Sequence, residues 1–185
     1  MIHQVLSAIT DELNSYLRRT VSVVEDKATL SALVDQEGNM AAEGENKVVG
    51  LLTAIEQERA SLSQAPSRGG LRNPPVQLNL HVLFAAYFPG DYREALKFIS
   101  LTLAFFQSKQ VFTARNTPGL PAGAEKVVVE INNLDQQAQY QLWNAIGAKM
   151  IPSVSMKIRL IAITNDQILG EVPEITSTET TTPNQ

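Results

Sequence analysis

No cysteine occurs among the 185 residues, which excludes disulfides, thiolate nucleophiles and cysteine-ligated zinc or iron sites. Histidine is nearly as scarce, with His3 and His81 the two present. No spacing joins them to carboxylates in a ligand pattern, and a metal site needs ligands that converge. No run of eighteen apolar residues exists, so no segment reads as a membrane span. Met1 opens directly onto an amphipathic pattern without a basic n-region, so no secretory signal is read and cytoplasmic synthesis is expected. Excess positive charge is also missing. The formal charge is −4 and the pI about 5.2, whereas a sequence-independent grip on nucleic acid needs clustered Lys and Arg. GxSxG, P-loop and GxGxxG patterns are absent, and with them the usual geometry of nucleophile elbows and nucleotide cradles. No catalytic, cofactor-binding or metal-binding residue is therefore expected.

What is present suits one domain: 185 residues of which 44% are hydrophobic, with no internal repeat. Ile2, Val5, Leu6, Ile9, Leu13, Tyr16 and Leu17 recur at three- and four-residue steps and predict an amphipathic helix. Arg18 and Arg19 at its end complement the helix dipole. The signal weakens from Thr20 to Asn46, where short strands or a turn of helix fit equally, and Gly38 to Asn46 reads as an exposed polar loop. Lys47 to Ala60 fits either a helix or a strand by periodicity. Pro66, Gly69, Gly70, Pro74 and Pro75 make 61–75 a loop.

Val76, Leu78, Leu80, Val82 and Phe84 alternate with Gln77, Asn79 and His81, predicting a half-buried strand stopped by Pro89 and Gly90. Asp91, three residues before Glu94, predicts the N-cap of a helix to about Lys109. That helix is apolar nearly all round, so it needs partners on more than one side. A core-only role and a contact with another subunit weigh equally. Pro118, Gly119, Pro121 and Gly123 mark a second loop at 116–124. Lys126 to Ile131 follows as a short strand, then a helix from Asp135 to Gly147, then a half-buried strand through Val154, Met156, Ile158 and Leu160. The fold class expected is α/β (α+β), a mixed and largely antiparallel sheet flanked by helices over 1–168. Residues 169–185, rich in Thr, Ser, Glu and Pro, are expected to form a disordered polar tail.

Three features invite a functional reading, and each has a plainer one. Glu56 and Glu58 share a face if their segment is a strand. A carboxylate pair does acid–base work only where the environment splits the two pKa values, and with Arg59 adjacent a solvated, salt-bridged edge is the commoner outcome. Trp143, Phe98, Phe105 and Phe106 have the rings to stack a ligand, but such rings usually fill cores. Lys157 and Arg159 stand on one strand face, suited to an acidic neighbour or simply to water.

Several stretches, taken in order, resemble a known family: Asn46 to Arg59 (NKVVGLLTAIEQER), Val76 to Phe88 (VQLNLHVLFAAYF), Tyr92 to Ser100 (YREALKFIS), and Val127 to Ile161 (VVVEINNLDQQAQYQLWNAIGAKMIPSVSMKIRLI). Together they look like the tail-terminator, or cap, protein of extracellular contractile injection systems. These are the phage-tail-like particles of the virulence-cassette and antifeeding-prophage type. The resemblance implies a homohexameric ring on the last ring of inner tube protein, in contact with the last ring of sheath protein. Such a ring ends polymerisation and ties tube to sheath, without cofactor, nucleic acid or membrane contact. It also implies that the Lys47 segment is a strand. The Pro/Gly loops at 61–75 and 116–124 suit either segments that order on meeting tube or sheath or ordinary surface loops. Some members carry a longer C-terminal extension, where a short polar tail is read here. The rival readings are a monomeric adaptor or ligand-binding module with a groove near His81, a hydrolase using Glu56 and Glu58, and, within the same class, a terminator of a phage tail or of an intracellular, membrane-anchored injection system.

Overall fold

In the computed structural model the described residues are 1–35, 37–58 and 77–162. The first helix, α1 (Ile2–Val21), buries Val5, Leu6, Ile9, Leu13 and Leu17, the stripe that its spacing dictates. Arg18 and Arg19 occupy its last turn, and Ser22 ends it in the left-handed conformation at φ 55°. Strands β1 (Ala28–Leu30), β2 (Lys47–Gln57) and β3 (Gln77–Tyr87) follow, then α2 (Tyr92–Ser108), β4 (Val111–Phe112), β5 (Ala124–Ile131), α3 (Gln136–Ile146) and β6 (Ser153–Ala162). They form one six-stranded sheet in the order β1-β2-β3-β6-β5-β4. Only the β1–β2 pair is parallel; the others are antiparallel. A mixed, largely antiparallel sheet flanked by helices is the class that the sequence predicts, and Lys47–Gln57 is a strand.

Both helix caps read from sequence form. Asp91 accepts from the Glu94 N–H at 2.9 Å, and Asp135 from the Ala138 N–H at 2.7 Å. Gly147 closes α3 at φ 77°, a conformation that costs glycine little.

The sheet buries its two faces unequally. On one face, α1 and α2 cover Val48, Leu80, Val82, Phe84, Met156, Ile158 and Leu160. Phe84 meets Phe106 of α2 with ring centroids 5.2 Å apart. On the other face a smaller cluster of Leu33, Val49, Leu83, Ala85 and Trp143 lies under α3. The C-terminal half of β3 is therefore buried on both sides, not half-buried as alternation suggests, because Leu83 and Ala85 occupy positions that a solvated face would give to polar residues.

Two strands escaped sequence reading, and both are too short for periodicity. β1 depends on a distant side chain: buried Asn14 of α1 donates to the Ala28 carbonyl at 2.9 Å and accepts from the Ala28 N–H at 2.7 Å. Gly50 sits beside it where a Cβ would lie 3.0 Å from Leu30 Cδ2 and 3.3 Å from Phe84 Cε1. The segment read as an open polar loop, Gly38 to Asn46, is more structured than expected. Val34 bridges Met40, and Ala42–Gly44 form a 3-10 turn whose Gly44 is buried.

Asn14→Ala strips both backbone groups of Ala28 of their partners in a buried site. The expected cost is about 2–4 kcal/mol, since each stranded buried group costs about 1–3 kcal/mol. A urea titration followed by circular dichroism checks it, and an unchanged midpoint would refute the role given to Asn14.

Candidate functional site

Because α3 covers only one end of the second face, the other end stands open. The pairing register sets polar side chains there in cross-strand rows. Glu56, Asn79, Arg159 and Val128 form one, and Ala54, His81, Lys157 and Glu130 the next. An irregularity between Leu52 and Ala54 brings Glu56 and Glu58 onto this face, and Thr53 Oγ1 fills the gap by donating to the His81 carbonyl at 3.0 Å.

His81 is the hub. Its Nδ1 lies 3.2 Å from Asn132 Nδ2, which also donates to Ser155 Oγ at 3.2 Å. An amide N–H₂ facing Nδ1 assigns that nitrogen as acceptor and places the proton of a neutral ring on Nε2. Nε2 lies 3.2 Å from Glu56 Oε2 but makes no aligned hydrogen bond to it. Asn79 Nδ2 donates to Glu58 Oε2 at 3.1 Å, and Arg159 Nη2 approaches Glu130 Oε2 at 3.5 Å. Asn79 Oδ1 and Arg159 Nε are buried without a protein partner. Lys157, half-buried between these rows, has no ion-pair partner among the described residues.

This geometry places charge well and activates little. Glu56 turns to His81, and Glu58 accepts from Asn79. Arg59 lies outside the described residues. The Asn132 amide stands between the Ser155 hydroxyl and His81. His3 is exposed on α1, across the sheet from His81, and the two do not converge. Among the described residues no cluster of three metal-ligating side chains occurs. Asn132 and Ser155 went unread as site residues because the contact joins positions 51 and 23 residues apart. Away from this face, the Lys27 ammonium holds the Glu25 carboxyl below its ordinary value.

The remaining candidates divide. Trp143, Phe98, Phe105 and Phe106 are core residues. Most of the apolar surface of α2 is spent on the core, but Tyr92 and Leu96 at its first turns stay 66% and 45% exposed. Tyr92 lines a cleft of about 340 Å³ together with Phe88, Ile151 and Pro152. The loop 116–124 is held by contacts within its own chain. Thr117 and Leu120 are buried, and the Lys109 ammonium ties the loop to α1 through Glu12 Oε2 at 2.8 Å and the Asn116 carbonyl at 2.7 Å. The loop 61–75 and the tail 169–185 lie outside the described residues.

Residues 4–177 match the model of a family described as the Pvc16 N-terminal domain. No curated protein matches the chain in sequence. Among solved structures, the PVC sheath/tube terminator of an extracellular contractile injection system, in its extended state, superposes with a TM-score of 0.59 at 17% identity. The match covers 100% of this chain and 65% of that one. The tube-terminating cap of the anti-feeding prophage superposes with a TM-score of 0.53 at 14% identity, covering 94% of this chain and 60% of that one. At such identities the likeness is one of fold. The chain spans less than two thirds of the length of both.

Lys157→Ala and Glu130→Ala each remove an exposed or half-exposed charge that no core depends on. Both are expected to leave stability within about 0.5 kcal/mol in thermal unfolding. A large loss would make this face part of the fold's own scaffold and not a surface for contact.

Proposed function

The chain belongs to the Pvc16 N-terminal domain family, and on that premise we propose that it is a structural cap of a contractile, phage-tail-like injection particle. Six copies form a ring on the last ring of the inner tube, meet the last ring of the sheath, stop further polymerisation and join tube to sheath. The chain assembles in the cytoplasm as a component of that particle. The observation that carries the reading is the family match over 4–177, together with the likeness in fold to two terminators of tubes, over 100% and 94% of the chain.

The physical requirements of the task agree with it. A terminator needs one surface complementary to an open ring, and no copy of that surface on its other side. Here one sheet face lies largely under two helices, while the other carries a half-open array of charged groups and of polar atoms without a hydrogen-bond partner among the described residues. Such atoms are costly when left dry and become favourable once a partner supplies the missing hydrogen bond. No helix among the described residues is long and apolar enough to cross a membrane.

Native mass spectrometry of the purified chain, alone and with its cognate tube protein, tests the reading. A six-subunit species is expected, either free or on tube ends, together with tubes that no longer elongate. A monomer that neither assembles nor binds tube ends would overturn the cap and favour a monomeric adaptor.

A further inference from the structure

The sheet has two rims, and each is covered for only part of its length. At one rim β1 shields β2 over Val48, Val49 and Gly50, and Leu51 to Gln57 has no outer strand among the described residues. At the other rim β4 shields Val127 and Val128 of β5, and the Gln110 carbonyl takes the Val129 N–H at 2.8 Å. Beyond that point Glu130 and Ile131 have no outer strand among the described residues. Open rims of this kind template further pairing unless something covers them.

The two uncovered stretches are complementary. Each carries an exposed isoleucine, Ile55 at 51% and Ile131 at 56%. Ile55 pairs with Leu80 and Ile131 with Met156, so both point to the sheet face that α1 and α2 cover. Three antiparallel pairings separate β2 from β5, so the two strands run in opposite directions. The backbone is in phase as well. The Asn132 N–H bonds inward to Ser155 and the Glu58 N–H inward to Gln77, so strand alternation turns the polar groups of Ile131, Ile55 and Gln57 outward. Next to Ile131 lies a groove of about 360 Å³, walled by Leu103, Phe106, Val129 and Met156. The β2 rim thus offers an apolar knob, and the β5 rim an apolar groove on the same face.

We infer that neighbouring subunits of the ring join by strand addition, the β2 rim of one copy against the β5 rim of the next. Ile55 seats in the groove beside Ile131. The inference rests on the ring reading given above. A second copy is the occupant because both halves of the contact lie on this chain, at opposite rims. Every copy then gives one half and receives the other, the head-to-tail arrangement from which closed rings are built. A strand from a different protein would cover one rim and leave the other bare.

The test uses the full chain with Ile55→Asp and Ile131→Asp as separate variants. Both side chains are exposed, so each variant is expected to match the parent in circular dichroism and melting temperature. Species are counted by native mass spectrometry after chemical cross-linking, on tube ends if the parent forms its ring only there. The parent gives six subunits and each variant alone gives monomers. An equimolar mixture gives dimers, because one intact β2 rim meets one intact groove. A ring in either variant, or a mixture with nothing above monomer, overturns the inference while leaving the ring reading intact. A ring that persists while tube binding is lost also overturns it, and assigns the rim to a tube strand. A parent that forms no ring, alone or on tubes, overturns both.

Discussion

The constraint on which the rest of the structure depends is the double burial of β3. At the level of Leu83, Phe84 and Ala85 this strand has hydrophobic side chains on both faces, so both must be roofed. Two long helices roof most of one side, leaving Ile55 and Ile131 exposed at its rims. The other side receives only the eleven residues of α3, anchored by Trp143, and Leu33 from the segment after β1. Eleven helical residues extend about 16 Å, and eleven strand residues extend about twice that. One short helix therefore cannot cover the sheet from end to end. The uncovered end is where the polar rows of β2, β3, β6 and β5 lie, and their composition follows from that shortfall.

Legibility in the sequence tracks the range of the interactions involved. α1, α2, α3, β5 and β6 are written in local periodicity, and two N-caps in a single aspartate each. β1 and β4 are not. One holds because Asn14 reaches across from α1, and the other is a two-residue pairing beside β5. The strand character of Lys47–Gln57 was beyond periodicity and followed from the family resemblance, with which the family match and the fold agree. The resemblance was less informative about 116–124, because the contacts that order this loop, Lys109 with Glu12 and buried Leu120, are internal to the chain. At the polar face, the alternation placed Asn79, His81, Lys157 and Arg159 on one side. It could not place Asn132 against His81, since that contact depends on how β5 turns into α3.

Charge on the open face is arranged by strand. Acidic groups come from β2, through Glu56 and Glu58, and from β5, through Glu130; cationic groups come from β6, through Lys157 and Arg159. Cross-strand neighbours of opposite sign stabilise by only about 0.2–1 kcal/mol each, so this pattern adds little to the fold. Its larger effect is on orientation. A partner that presents an acidic group to the central cation row is attracted there and repelled on either side, which fixes register more than affinity.

Rim-to-rim joining and a half-open face are consequences of one geometry. If strands pair from copy to copy around a ring, the sheets merge into one wall, with the α1 and α2 layer on one side and the polar rows on the other. Every copy then presents Lys157, Arg159, His81 and the unpartnered Asn79 Oδ1 at the same height and angle. A ring built in this way would repeat the pattern with its own symmetry, which a symmetric tube end would match at each subunit. Among the described residues the helical side carries no copy of the pattern. In that arrangement elongation would stop because the two faces of the sheet are covered unequally.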